Sequence, residues 1–310
     1  MIALSVIILT HNEARHLQRA LAAIEPLSAD VFIVDSGSTD QTIEIARTNG
    51  ARVAHNAWVN YARQFQWALD HIPTAAEWIM RLDADEVIEP DLLKALQEQL
   101  PKLPPDVTGV YLKRKHVFMG RWIKHGGRYP LVLLRIWRRG TARIENRWMD
   151  EHMVLTHGRA VTIEGGFADV NLGDISFFTD KHNRYATREA VDVLNQRYDL
   201  FPRDDGLEEE ASAQAARKRR LKEGFYNRLP FGVGPVLYFL YRYFWQLGFL
   251  DGKEGAIYHG LQGFWYRFLV DAKVLELERA LVGASTREEK LALLAKLTSL
   301  KLPGTEQTVA

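Results

Sequence analysis

Between residues 1 and about 105, short apolar runs alternate with segments of helical spacing, and few architectures accept that alternation. Leu4–Leu9 is nearly continuous in apolar residues, the pattern of a strand buried on both faces. Glu13–Ile24 follows with Leu17, Leu21 and Ile24 on one helical face. The series continues with strand Val31–Val34, helix Asp40–Asn49 closed by Gly50, and strand Ala51–Ala54. Helix Tyr61–His71, strand Trp78–Leu82 and a helix over 91–100 ending at Pro101 complete it. Repeated strand–helix–strand units imply a mostly parallel sheet with right-handed crossovers, flanked by helices. The opening Met1–Glu13 lacks the basic start and small-residue cleavage site of a secretion signal, so it reads as the first buried strand.

The rest of the chain changes character. Val110–Val117, Leu131–Arg138 and Ala160–Glu164 are strand-like and separated by Gly- and Pro-containing turns, which adds an α+β extension to the same sheet. From about residue 180 helical patterning takes over, in Asp180–Leu200, in an aromatic segment over 231–250, and from Ile257 to Leu281. The box Ser285-x-x-Glu288 is expected to open a last helix running to Leu300. The expected organisation is an α/β domain over 1–178, divided near 105, and a helical region over 179–310.

Composition narrows the function. A formal net charge of +1 gives no footprint for a nucleic-acid partner. The absence of cysteine excludes disulfides and thiolate catalysis, and suits a cytoplasmic setting.

Polar clusters stand directly after the expected strands: Thr10-His11-Asn12-Glu13, then Asp35-Ser36-Gly37-Ser38-Thr39-Asp40, then Asp83-Ala84-Asp85. Strand ends in α/β sheets open into the ligand cleft. Two carboxylates one residue apart offer hard oxygen ligands to Mg²⁺ or Mn²⁺, shared with substrate phosphates. Taken singly, each cluster has a plainer reading. Asp83-x-Asp85 is then a solvated turn before a helix capped by Asp91, Asn12 caps a helix, and Ser38 or Asp40 caps the next. In this order and spacing they favour one nucleotide site.

Together, Thr-x-Asn-Glu, Val-Asp-Ser-Gly-Ser-Thr-Asp and Leu-Asp-Ala-Asp-Glu resemble the nucleotide-sugar domain of inverting family 2 glycosyltransferases, which have the GT-A fold. The resemblance covers roughly residues 1–155. It implies that residues 1–105 form the nucleotide-sugar half and 106–178 the acceptor half. By position, Thr10 and Glu13 lie beside the nucleoside, Asp35 hydrogen-bonds the base (commonly uracil), Asp83 lies near ribose and metal, and Asp85 is the metal ligand. Arg63, opening the third helix, is a candidate for the diphosphate or else a solvated helix residue.

Inversion needs a general base beyond the donor half. In the subset that builds lipopolysaccharide cores and exopolysaccharides, a Val-His-Glu motif falls where this chain has Met149-Asp150-Glu151. Alignment by Glu makes Glu151 the base; other members use the Asp of a Glu-Asp pair, which keeps Asp150 a candidate. His152 either orients the base or is a structural histidine. His125-Gly126-Gly127-Arg128-Tyr129-Pro130 and the following Leu134–Arg138 also echo that subset and either shape the acceptor cleft or form a tight turn. The Gln-x-x-Arg-Trp motif of processive members is not found, His182–Tyr185 being a loose echo, so addition of a single sugar is expected.

The basic cluster Arg217–Lys222 precedes the aromatic helices, a combination suited to the headgroup region of an anionic leaflet. Arg242 near the middle of 231–250, Pro235 and several glycines argue against a span. The alternative is a soluble bundle. The function implied is an inverting, metal-dependent glycosyltransferase, peripheral on the inner leaflet, moving one sugar from a nucleoside-diphosphate donor to a lipid-linked saccharide. Its rivals are a sugar nucleotidyltransferase, against which Leu9–Arg15 lacks the glycine-rich loop, and a catalytically degenerate, membrane-docked assembly partner.

Overall fold

The computed structural model describes residues 2–145, 151–202 and 229–303. At its centre, β1 (Leu4–Thr10) pairs in parallel with β2 (Asp30–Asp35) and β4 (Trp78–Arg81), and β3 (Arg52–His55) extends the sheet beyond β2. The near-continuous apolar run of β1 is used on both faces. Val6 and Ile8 pack with Leu17, Leu21 and Ile24 of α1 (Ala14–Ile24), whereas Ile7 packs with Ala62, Phe65 and Ala68 of α3 (Tyr61–His71). Burying each such side chain stabilises by about 1.5–3 kcal/mol, so this run fixes the strand between two helical layers. Helix α2 (Thr42–Thr48) ends at Asn49, and Gly50 follows with φ +76, the left-handed closure expected of that glycine.

Beyond β4 the directions mix. β8 (Leu131–Arg138) is antiparallel to β4 and to β6 (Val107–Phe118), and β11 (Arg159–Val170) is parallel to β6. The short β5 (Glu86–Ile88) is antiparallel to β11, and β7 (Arg121–Trp122) folds back on β6, giving a nine-stranded sheet. The parallel expectation therefore holds for β1–β4, while β5 and the strands after residue 105 make the sheet mixed, the tight turns there returning β7 and β8 antiparallel. Two reversals across β8 leave β6 and β11 running with β1–β4. All six end at the same side of the sheet, where β5 and β8 begin.

β11 runs past the expected end at Glu164. A register shift between Thr162 and Gly166 bends it without breaking it. Gly165 sits there with φ +114, and a Cβ would lie 2.6 Å from Leu92 Cα on α4 (Pro90–Gln99). The strand then delivers Asp169 to the same edge as the other polar clusters. A small hairpin, β9 (Ala142–Ile144) with β10 (Met153–Leu155), lies beside the main sheet.

Helix α5 (Ile175–Tyr198) starts earlier than its periodicity suggests, because Asp174 accepts a hydrogen bond from Phe177 N and caps it. It packs through Ala190, Val191 and Leu194 against Val270, Val274 and Leu277 of helix Tyr266–Ala280. The aromatic segment is not one helix. Val233–Leu240 passes into a π-helical turn over Tyr241–Trp245, and Leu247 at φ +59 reverses the chain. No helix among the described residues is long and apolar enough to cross a membrane. Arg242 is buried: its Nε donates to the Gly126 carbonyl at 2.7 Å, and its guanidinium also reaches Gln262 Oε1.

The capping box of the last helix, Arg287–Thr298, is Thr286 with Glu289, one residue on from the expected Ser285 and Glu288. Thr286→Ala should lower stability by about 1 kcal/mol, read as a shift of the urea midpoint at constant m-value.

Candidate active site

Thr10 and Asp35, at the ends of adjacent strands, are hydrogen-bonded through their side chains at 2.9 Å. Asp35 is fully buried, and each carboxylate oxygen accepts two hydrogen bonds: Oδ1 from Thr10 Oγ1 and Ser38 Oγ, Oδ2 from the Gly37 and Ser38 amides. Burial raises its carboxyl, but the Ser38, Gly37 and Thr10 donors outweigh that and hold it below the ordinary value. Asp35 thus shapes the turn 36–40 from inside.

That turn is bound to the loop after β1. Asn12, at φ +58, takes the Thr39 amide on its Oδ1 and gives its own amide to Ser38 Oγ, both at 2.8 Å. Asp40 accepts from Ala14 N and Thr42 N, so one carboxylate serves the first turns of α1 and α2. The capping roles read from sequence and the convergence of the two loops are one arrangement. Glu13 Oε2 binds His16 Nδ1 at 2.7 Å, and His16 Nε2 accepts the Leu172 amide at 3.0 Å. An acceptor on Nε2 requires the proton on Nδ1, so this histidine ties Glu13 to the end of β11.

The two carboxylates of the Asp-x-Asp differ. Asp83 Oδ1 accepts from Tyr61 Oη at 2.5 Å and lies 3.6 Å from Arg81, and Oδ2 lies 3.4 Å from Arg135. Although burial acts to raise it, Arg81, Arg135 and the Tyr61 hydroxyl keep the Asp83 carboxyl well below the carboxylate range. Asp85 is pushed up, by burial first and then by repulsion from Asp169, against the opposing pull of Lys181. Its Oδ2 accepts from Asn171 Nδ2 at 3.1 Å. Beneath the pair, buried Glu86 joins Arg135 at 2.6 Å and Arg114 at 3.2 Å and accepts the Asp83 amide, which sets the height of the loop.

Glu151 comes from the far half of the chain into the same neighbourhood. Its charge acts on Arg81, which flanks Asp83, and on Tyr185 of α5. Asp150, the alternative base, lies outside the described residues. The His152 amide donates to Glu145 Oε2 at 3.0 Å, and its Nδ1 lies 3.3 Å from the same oxygen. Arg63 is exposed at the first turn of α3, where its amide donates to the Asn60 cap. The Gly126–Gly127 turn docks the C-terminal helices. Gly126 N donates to the Gln246 carbonyl at 2.9 Å, and a Cβ on Gly126 would overlap the His259 ring.

Sequence reading missed several participants. Tyr61 and Arg81 lie within regular elements that give no polar signal, and Arg135, read only within Leu134–Arg138 as an acceptor-cleft stretch, meets Asp83 and Glu86 instead. Asp169 follows a diglycine that reads as a strand end, and Lys181 is one charge on a polar helix. Among the described residues no three His, Asp or Glu side chains gather to hold a metal by themselves.

A parallel α/β half joined to a mixed half, with acidic loops gathered at the shared strand ends, defines a GT-A glycosyltransferase. The chain belongs to glycosyl transferase family 2, whose model matches residues 5–169. It is 36% identical over 97 residues to an uncharacterized glycosyltransferase of Rickettsia bellii, a match covering 31% of each chain. It is 26% identical over 288 residues to the lipopolysaccharide core biosynthesis glycosyltransferase LpsC of Rhizobium meliloti, covering 88% of this chain and 92% of the relative. Among solved structures, glucosyl-3-phosphoglycerate synthase from Mycobacterium tuberculosis is similar at 22% identity and a TM-score of 0.31, over 36% of this chain and 43% of that one.

Proposed function

We propose that this glycosyltransferase adds a single sugar, with inversion, from a nucleoside-diphosphate sugar (a UDP-sugar) to a lipid-linked saccharide in lipopolysaccharide core assembly. The observation that carries the donor side is the asymmetry of Asp83 and Asp85. Asp83 is balanced by two arginines, whereas burial and repulsion from Asp169 push Asp85 up and only Lys181 and the Asn171 amide oppose them. That environment fits Mn²⁺ or Mg²⁺: a hard oxygen donor, with repulsion that a cation would remove, at a place where substrate phosphate completes the shell. When bound, such a cation stabilises charge on the departing diphosphate. The similarity to LpsC along nearly the whole chain supports the acceptor class.

In this reading the chain's own groups do the following. Thr10, Asp35 and Glu13 hold the loops that receive the nucleoside. Asp85 would hold the cation, Asp83 positions the ribose side, and exposed Arg63 is available to the diphosphate. Glu151, or Asp150 beside it, takes the proton from the acceptor hydroxyl as it attacks the anomeric carbon. Release of nucleotide from a panel of donor sugars, with and without Mn²⁺, tests the proposal. Release that is indifferent to both donor and metal would refute it.

We further place the enzyme peripherally on the inner leaflet. Phe231, Leu237, Phe244 and Trp245 are 52%, 50%, 55% and 81% exposed. Ring contacts linking Phe231, Phe268, Phe264, Phe239, Tyr243 and Phe244 make the surface continuous. An aromatic face of this kind fits the headgroup–acyl boundary. The basic cluster Arg217–Lys222 lies outside the described residues. Neutralising Arg217, Lys218, Arg219, Arg220 and Lys222 should weaken binding to anionic vesicles by several kcal/mol, at about 1 kcal/mol each. A salt-insensitive remainder should persist and vanish in Phe244→Ser/Trp245→Ser. Co-sedimentation at low and high salt measures both parts, and undiminished sedimentation of all variants would refute the assignment.

A further inference from the structure

The cations at this edge do not all have work to do in holding the fold. Arg81 faces Asp83, Arg114 and Arg135 share Glu86, Arg242 binds a carbonyl, and Arg267 binds Glu189 at 2.6 Å. Arg128, in the turn that leads into β8, differs. Among the described residues its guanidinium has no hydrogen-bond or ion-pair partner, and its buried Nε is unsatisfied. A ring contact with Tyr258, at 5.4 Å, is its nearest support.

Its electrostatic surroundings are adverse. Burial above all, then the like charges of Arg242 and Arg114, hold the guanidinium below its ordinary value, against Tyr258 and Asp169. Asp169, the acid within reach, is already taken by His116 at 3.1 Å and Arg114 at 3.8 Å. His116 Nε2, in the same group, is a second buried polar atom without a partner. An unpaired buried donor is costly, more so when charged, so such a cluster would be stabilised by an anion from outside the chain.

Arg128 borders the nucleotide side through Asp169 and leans toward the C-terminal helices. Lys181 acts on Asp85, Asp169 and Glu13, so it belongs to the nucleotide side. Arg128 shares Asp169 with that side, and the other groups acting on it come from β6 (Arg114) and the C-terminal helices (Tyr258 and Arg242). We infer that Arg128, with His116 beside it, is a recognition site for an anionic substituent on the acceptor saccharide, a phosphate monoester or a carboxylate. This rests on reading the site as a single-sugar transferase. A planar guanidinium suits either oxyanion, because both accept two parallel N–H bonds.

The test uses one short soluble acceptor in three forms: neutral, phosphorylated, and bearing a uronic carboxylate. The wild-type enzyme should prefer an anionic form, and which one it prefers identifies the substituent. Arg128→Gln should lower kcat/KM on that form by about 10- to 100-fold and leave the neutral form unchanged. Calorimetric binding of UDP with Mn²⁺ should not move. Arg128→Lys, which keeps the charge and loses the fork, should fall between, and it decides the matter if the glutamine variant does not fold. Inorganic phosphate at fixed ionic strength should raise the Tm of the wild type and not that of Arg128→Gln. Equal loss on all acceptors, or a parallel loss of UDP binding, would overturn the inference and give Arg128 to the donor. Transfer to no acceptor at all would count against the transferase reading, while the phosphate-dependent Tm would still report on the anion site.

Discussion

Glu151→Gln is expected to lower turnover by roughly 10²–10⁴ while nucleotide binding stays nearly intact. The amide keeps the shape of the side chain but cannot accept the acceptor's proton. Glu151 is suited to the task by where it stands. Its charge reaches Arg81 beside Asp83 and Tyr185 on α5, which brings it close to the proposed donor site. The residue after it, His152, exchanges two hydrogen bonds with Glu145. Single-turnover transfer, with UDP affinity measured in parallel, separates chemistry from binding. If Asp150→Asn is inactive and Glu151→Gln is not, the proton goes to Asp150.

Asp85→Ala should remove the metal-dependent part of UDP binding, a loss on the order of 100-fold, and with it turnover. Asp83 cannot replace it, since Tyr61, Arg81 and Arg135 surround that carboxylate. Glu86 cannot either, being buried between Arg114 and Arg135. The alanine variant should fold at least as well as the wild type, because it relieves repulsion from Asp169. Calorimetry with and without Mn²⁺, alongside thermal unfolding, gives both numbers; wild-type affinity would show that the cation sits elsewhere or is not used.

Residues 1–105 were largely legible because their signals are local. The apolar run of β1, the spacing of Leu17, Leu21 and Ile24, and the polar residues after each strand all act within a few positions. Helix Tyr61–His71 and strand Leu131–Arg138 have the bounds their patterns indicate. Three-residue β5 gives too little periodicity to read, and Gly165-Gly166 looks like a stop until α4 is seen crossing over Gly165. The arginines around Asp83 were illegible for another reason: Arg81 and Arg135 alternate with core residues on strands, and only the pairing across the sheet shows which carboxylate they meet. The aromatic segment reads as one long helix because the reversal at Leu247 uses a residue with no left-handed preference.

The clasp between Gly126 and the C-terminal helices also bears on inheritance and on engineering. The His259 ring fills the space that any side chain at 126 would need, and Gln246 does the same at 127. Arg242 in turn needs the 126 carbonyl. A chimera that takes residues 229–303 from a relative, while keeping this chain's turn, would set foreign side chains against two bare glycines and remove the Arg242 that binds the 126 carbonyl. The turn and the helices must therefore travel together, and a crossover placed before residue 125 should give a soluble hybrid where one placed after 130 should not.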